Sequence, residues 1–288
     1  MSAVRFHWPA SVDDAVALLA ADEGARCLAG GATLVAMLNA RLLEPSALVS
    51  LAAIAELRCC ERLGDGTVRI GAMRRHRETA FETDLRDGQR VLSAAAARIA
   101  NPPVRNMGTL GGSISFADPA ADYPPALVAA DAIVEIAGPQ GRRELAAEAF
   151  FRDWYITALQ PGELVTAVRL PPAPPGSIGI YDKLARVAGD FAIASVALVL
   201  TMNGGSCESI RIAIGGCGPT PVRLPAVEAA LVGTHLSDAA IAEAGAALAA
   251  ACDPVDDVRA SAEYRRRVVP RMLARALTEA CHQASRMR

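Results

Sequence analysis

Between Asn101 and Asp122 the chain reads NPPVRNMGTLGGSISFADPAAD, and this tract limits the possible folds more than any other. Pro102 and Pro103 end a preceding helix. Gly108, Gly111 and Gly112 then stand among Thr109, Ser113 and Ser115, with Asp118 and Asp122 just downstream. Glycine lacks a Cβ, so backbone can approach a ligand closely and aim N–H groups at phosphate oxygens. The carboxylates can accept from ribose hydroxyls or a ring N–H. A second glycine segment, Ala29-Gly30-Gly31-Ala32-Thr33-Leu34, lies upstream. Two such loops suit a ligand with two phosphates and two ring systems, a dinucleotide.

Bulk properties narrow the class. At 288 residues the chain can build two or three units with true cores. Apolar residues make up 52% and charged residues 21%, which is globular rather than disordered. A net charge of −2 and the lack of a long basic run speak against nucleic acid. Arg74–Arg77 and Arg265–Arg267 read as solvated helix faces or subunit contacts. Seven cysteines, none in C-x-x-C spacing, argue against a disulfide framework, a structural zinc or an iron–sulfur cluster held by this chain. With no apolar run of about 18 residues free of charge, no membrane span is expected. Free thiols and the absence of a secretory leader pattern make the cytoplasm the expected location.

Local patterns sketch an α+β chain. Val4–His7, Arg26–Ala29 and Ala47–Ser50 read as strands. Ser11 can cap a helix through Leu19, and a helix follows from about Thr33 to Asn39. A strand–glycine–helix order places unpaired helix N–H groups where an anion would sit. Further on, Val68–Gly71, Ile133–Ala137 and Leu164–Leu170 read as strands, and Arg74–Thr83 and Gln89–Ala100 as helices. The linker PPAPPG, Pro171–Gly176, precedes a change of composition. Ile178–Leu184, Ile193–Met202 and Ser209–Ile214 fit an antiparallel meander with a turn at Asn203-Gly204-Gly205. Leu224–Val232, Asp238–Ala251 and Glu263–Ser285 read as helices.

Each motif also has a plainer reading. The Ala29–Leu34 loop fits neither a P-loop nor G-x-G-x-x-G, and Gly-Gly pairs often only turn the chain. Asp122 precedes Pro124-Pro125 and can cap the next helix; Asp118 has less structural reason to be there. Lys183 is the only lysine in a chain whose other basic residues, histidines aside, are all arginine. A compact ammonium suits a tight anionic site that a planar guanidinium would not. The four histidines show no triad or metal spacing and read as surface or capping residues. Cys217, in Gly215-Gly216-Cys217-Gly218, reads as part of a turn before Pro219.

Taken together, AGGATL, the Asn101–Asp122 tract, YDKLARVAGDFAIASVAL and GGCGPTPVR resemble the FAD-binding medium subunit of the molybdenum hydroxylases, over nearly the whole chain. The resemblance implies a FAD-binding fold of the vanillyl-alcohol-oxidase (PCMH) type over residues 1–175, with small subdomains of about 1–52 and 53–175. A CO-dehydrogenase-flavoprotein-type domain, antiparallel sheet plus helices, would fill 176–288. It further implies that Ala29, Gly30, Gly31, Ala32, Thr33 and Leu34 cradle the pyrophosphate. Thr109, Gly111, Gly112 and Ser113 would form the second FAD loop. Asp122 would bind polar groups of the cofactor, with Asp118 beside it; Leu164 would pack on the ring system and Lys183 lie near the flavin. The family often has Asn where this chain has Ser113, and Ser where it has Thr33.

The implied role is electron transfer. A large molybdopterin-bearing subunit would hydroxylate the substrate, and a small subunit with two [2Fe–2S] clusters would deliver electrons to FAD on this chain, in a dimer of heterotrimers. An external acceptor would then reoxidise the flavin. Flavin chemistry belongs to the cofactor, so this role needs no acid–base triad. Two other readings are an autonomous FAD-dependent oxidase or reductase of the same fold, and a scaffold subunit without flavin chemistry. Replacing Lys183 by Ala is expected to weaken FAD retention or slow flavin reduction.

Overall fold

The structure is a computed structural model that describes residues 4–286. It opens with a three-stranded parallel sheet. β1 (Arg5–His7) leads to α1 (Val12–Ala21), capped by the Ser11 hydroxyl, which accepts from the Asp14 N–H. β2 (Ala25–Leu28) runs into the first glycine turn, α2 (Leu34–Asn39) follows, and β3 (Ala47–Ser50) inserts between the other two strands in the order β1-β3-β2. Apolar positions three and four apart on one face of α1 (Val12, Ala15, Val16, Leu19) meet Ala25, Ala47 and Val49 of the sheet to form a small core.

The second unit is built on a five-stranded antiparallel sheet. β4 (Cys60–Arg62) and β5 (Val68–Gly71) form a hairpin, and the chain then leaves the sheet through α3 (His76–Ala80) and α4 (Arg90–Arg98). α5 (Pro102–Met107), α6 (Leu110–Phe116) and α7 (Tyr123–Ala129) follow without a long loop between them. β6 (Ile133–Gly138) and β7 (Gly141–Ala146) rejoin the sheet. α8 (Ala147–Phe150) and a small hairpin of β8 (Phe151–Asp153) and β9 (Ile156–Thr157) precede β10 (Leu164–Leu170). β10 is the centre of the order β4-β5-β10-β6-β7, and all of its residues but Arg169 are buried.

After the proline-rich linker come β11 (Ile178–Leu184), β12 (Ala194–Asn203) and β13 (Ser206–Gly215), an antiparallel meander. Gly204 and Gly205 both have positive φ (58° and 93°), as the tight β12–β13 turn requires. α9 (Pro225–Leu231), α10 (Asp238–Ala251) and α11 (Ala262–Arg286) complete the chain. The period-2 geometry of β12 shares its residues between two cores. Val196, Leu198 and Leu200 face α11, with α10 packed behind it, while Ala197 and Val199 join the core of the second unit through α4 and α7. Fully burying each larger side chain stabilises the fold by about 1.5–3 kcal/mol. The C-terminal sheet is thereby covered on both sides.

Several expectations need correction. Pro102 and Pro103 do not only end a helix. They also start α5, where proline's missing N–H costs nothing and Asn101 caps by accepting from the Val104 N–H at 3.1 Å. The glycine tract is not a loop but mostly helix, α6. His76 is buried beneath that tract rather than on the surface. Arg265 is also buried, donating to the carbonyls of Ile193 and Gly216 and to Asp257, so this part of the arginine run is a structural anchor.

Candidate functional site

Ala29 to Thr33 leave the end of β2, and Leu34 opens α2. Gly31 has a φ of 77°, a left-handed conformation that favours glycine. Among the described residues, the N–H groups of Gly30, Gly31, Ala32 and Thr33 donate to no protein acceptor. The Thr33 hydroxyl makes no capping bond to α2 and is exposed. Consecutive free N–H groups around a left-handed residue at a helix start form a concave anion site.

The second glycine segment lies directly against the first. A Cβ on Gly30 would fall 1.9 Å from the Met107 carbonyl oxygen and 2.9 Å from Gly108 Cα. A Cβ on Gly112 would fall 3.6 Å from that of Ala29. Thr109 caps α6, its hydroxyl accepting from the Gly112 N–H at 3.2 Å. Gly112 is exposed and Ser113 half-buried, so both are available beside the first segment. Gly111 does something else. It is buried, its N–H donates to the Ala72 carbonyl at 2.8 Å, and a Cβ there would fall 2.5 Å from that of Ala72. It seats α6 on the end of β5.

Gly108 of the glycine tract belongs to this site, and so do Met107 and His76, which the sequence did not single out as site residues. The His76 N–H donates to the Gly108 carbonyl at 3.0 Å, and its ring is 3.1 Å from the Tyr123 hydroxyl. Burial, with Arg105 acting in the same direction, lowers its pKa to about 4. A neutral imidazole thus backs the entry to the tract. The only available signal was its position inside an arginine run, which points instead to a surface.

The remaining expected residues are placed differently. Asp118 accepts from the Ala120 N–H at 2.9 Å, fixing the Asp118-Pro119 turn that ends α6, and lies 3.4 Å from the Tyr155 hydroxyl. Burial raises its pKa. It therefore has the structural role that the sequence did not reveal. Leu164 is buried at the start of β10 in the N-terminal core with Val12 and Leu57. Asp122 precedes α7 without capping it. Its carboxylate instead accepts from the Tyr181 hydroxyl at 2.6 Å and pairs with Lys183 Nζ at 2.8 and 3.1 Å. Lys183 Nζ also donates to the Arg98 carbonyl at 2.7 Å. The two side chains are 6% and 1% exposed, so protein atoms alone enclose this pair. Burial raises the Asp122 pKa, while Lys183 and Tyr181 oppose it.

A parallel strand–glycine–helix unit, docked onto a glycine-bearing helix cap and followed by a separate antiparallel meander with helices, is the architecture of a bipartite nucleotide-cofactor protein. Residues 2–173 match the FAD binding domain in molybdopterin dehydrogenase, and residues 179–280 match the CO dehydrogenase flavoprotein C-terminal domain. The chain is 38% identical to the 6-hydroxypseudooxynicotine dehydrogenase complex subunit alpha of Paenarthrobacter nicotinovorans, over 95% of this chain and 93% of that one. It is also 38% identical to the carbon monoxide dehydrogenase medium chain of Afipia carboxidovorans, over 96% of each. The carbon monoxide dehydrogenase structure from Hydrogenophaga pseudoflava superposes with a TM-score of 0.94 at 37% identity, covering 97% of this chain and 98% of that one. The chain belongs to the molybdenum hydroxylase family, as an FAD-binding medium subunit.

The residues present fit FAD. Four free N–H groups and the Thr33 hydroxyl match a pyrophosphate, and the adjoining Gly112 and Ser113 extend the polar surface. The neighbouring polypeptide leaves no room for a Cβ on Gly30. Among the described residues no cluster of His, Cys, Asp and Glu could hold a metal, and no helix is long and apolar enough to cross a membrane.

Proposed function

We propose that this chain carries FAD as the electron-transfer subunit of a cytoplasmic molybdenum hydroxylase complex, taking electrons from [2Fe–2S] clusters on a small partner subunit and passing them to an external acceptor. The molybdopterin cofactor and substrate pocket would lie on a large partner, in a dimer of heterotrimers. One observation carries the reading: two glycine segments distant in sequence abut through Gly30 and Met107, with a run of free N–H groups on one of them. The names of the relatives, a medium chain and a complex subunit, support an assembly with further subunits.

FAD supplies the ability to exchange one or two electrons. The protein supplies position. Gly30 to Thr33 would bind the pyrophosphate, and Leu34, opening α2, would close this side of the cradle. Thr109 holds the first turn of α6 so that Gly112 and Ser113 flank it. Asp118 fixes the turn after α6, and the buried Leu164 would support the ring-bearing side from the core. The chain's own tasks are binding, orientation and exclusion of water.

The test is to purify the tagged chain from cells that also express its neighbouring subunits and record the visible spectrum. Flavin bands, FAD released on denaturation, iron–sulfur absorbance and two co-purifying chains are the expected outcome. A colourless chain that also takes up no added FAD would overturn the assignment.

A further inference from the structure

Outside the glycine segments, two sulfurs of the C-terminal domain lie against each other. Cys217 sits in the loop after β13, and Cys252 ends α10, its N–H donating to the Ala249 carbonyl at 3.3 Å. The two backbones approach closely there: a Cβ on Gly218 would fall 3.9 Å from the Asp253 nitrogen. Both cysteines are buried in the C-terminal core, with their side chains hydrogen-bonded to each other. Consecutive arginines of α11 hold the backbone on either side. Arg265 donates to the Gly216 carbonyl at 2.9 Å, and Arg266 Nε donates to the Cys252 carbonyl at 3.1 Å. The pair is thus fixed in register, and it is shallow. Cys252 itself is buried, yet the side chain of Asp253 next to it is 91% exposed.

The geometry points to Cys217 and Cys252 as a modification site, a dithiol that hydrogen peroxide oxidises to an intramolecular disulfide. The two sulfurs are not equivalent. The hydrogen bond to Cys252, and then burial, raise the Cys217 thiol. The same hydrogen bond lowers Cys252, with burial opposing and Arg266 assisting. Cys252 is therefore the sulfur that ionises, and the thiolate is the nucleophile. It attacks one peroxide oxygen, the O–O bond breaks, and the leaving hydroxide takes up the proton that Cys252 released. The Cys217 sulfur then attacks the sulfenic acid on Cys252. The S–O bond breaks, the S–S bond forms, and hydroxide leaves as water with the Cys217 proton. In sum the two thiols lose an electron pair and two protons, and the peroxide is reduced to water. The bridge ties the end of α10 to the loop whose Gly216 N–H donates to the Pro119 carbonyl at 3.1 Å. Oxidation thereby fastens the C-terminal domain where it meets the end of the glycine tract. No step uses a flavin, so the inference stands apart from the FAD reading above.

The experiment treats the reduced, full-length chain with hydrogen peroxide, alkylates the remaining thiols and maps the products by mass spectrometry. Two of the seven cysteines should become unreactive and appear as one linked Cys217–Cys252 peptide pair, and dithiothreitol should restore both. This map needs no substituted chain. Cys217→Ser should stop at the sulfenic acid on Cys252, captured by dimedone, and Cys252→Ser should leave Cys217 a free thiol. Arg266→Gln changes a side chain 44% exposed, which is safe for folding, and should slow bridge formation severalfold. Oxidised wild type should unfold at a higher denaturant concentration than the reduced chain, and Cys217→Ser should show no such shift. Free Cys217 and Cys252 after the exposed Cys59 has been oxidised would overturn the site. So would a bridge between any other pair, Cys207 and Cys281 of the same core included. A dimedone adduct on Cys217 in Cys252→Ser, with none on Cys252 in Cys217→Ser, would overturn Cys252 as the nucleophile.

Discussion

At the scale of single residues, close backbone contact sets the strongest constraints. Gly30 faces the Met107 carbonyl at a distance no Cβ can occupy. Gly30→Ala must therefore push the two glycine segments apart. A loss of about 2 kcal/mol of stability is expected from such overpacking, together with weaker FAD binding, as denaturant titration and flavin uptake would show. His76 gives a pH signature. Its folded pKa, about 4, lies below the ordinary histidine value of 6.5. Its contribution is thus fully present above pH 6.5 and is lost as the pH falls towards 4, because only the unfolded chain takes up the proton in that window. The size is about 3 kcal/mol. His76→Gln should flatten this limb of the stability profile, and an unchanged limb would show that other groups produce it.

At the scale of elements, caps and packing decide what the glycine tract becomes. Reading the tract as a loop gave too much weight to glycine's low helix propensity. The Thr109 hydroxyl satisfies the Gly112 N–H, Leu110 and Ile114 bury one face of α6, and Gly111 allows the helix to lie on Ala72. Tertiary contact therefore wins over propensity. Thr109→Ala should cost about 1 kcal/mol as a lost cap and loosen FAD, while Thr109→Ser should retain most of both; equal behaviour of the two variants would remove the hydroxyl from the account. The strands and helices after the linker were readable because β12 is long, apolar and followed by a Gly-Gly turn. The short β4, β8 and β9 carry too few residues for any period to show. The Asp122–Lys183 contact was hidden for a different reason. Both residues stood out individually, yet nothing local says that positions so far apart in sequence meet each other.

At the scale of the whole molecule, three cores are joined at the glycine tract. The N-terminal sheet presents the first glycine loop, the second unit presents α5 and α6, and the C-terminal domain contacts the end of the tract while burying the opposite face of its sheet under α11. The order of motifs in the sequence was enough to indicate the family and the two-part architecture. It could not show that the glycine segments abut, since that contact depends on the Gly30–Met107 approach. Binding of FAD where these segments meet is measured by titrating the flavin-free chain with FAD and following the visible spectrum, for wild type and for Gly30→Ala side by side. Saturation at one FAD per wild-type chain, with at least tenfold weaker uptake by a folded Gly30→Ala chain, is the expected result. Equal uptake by both chains would place the cofactor elsewhere and contradict the account.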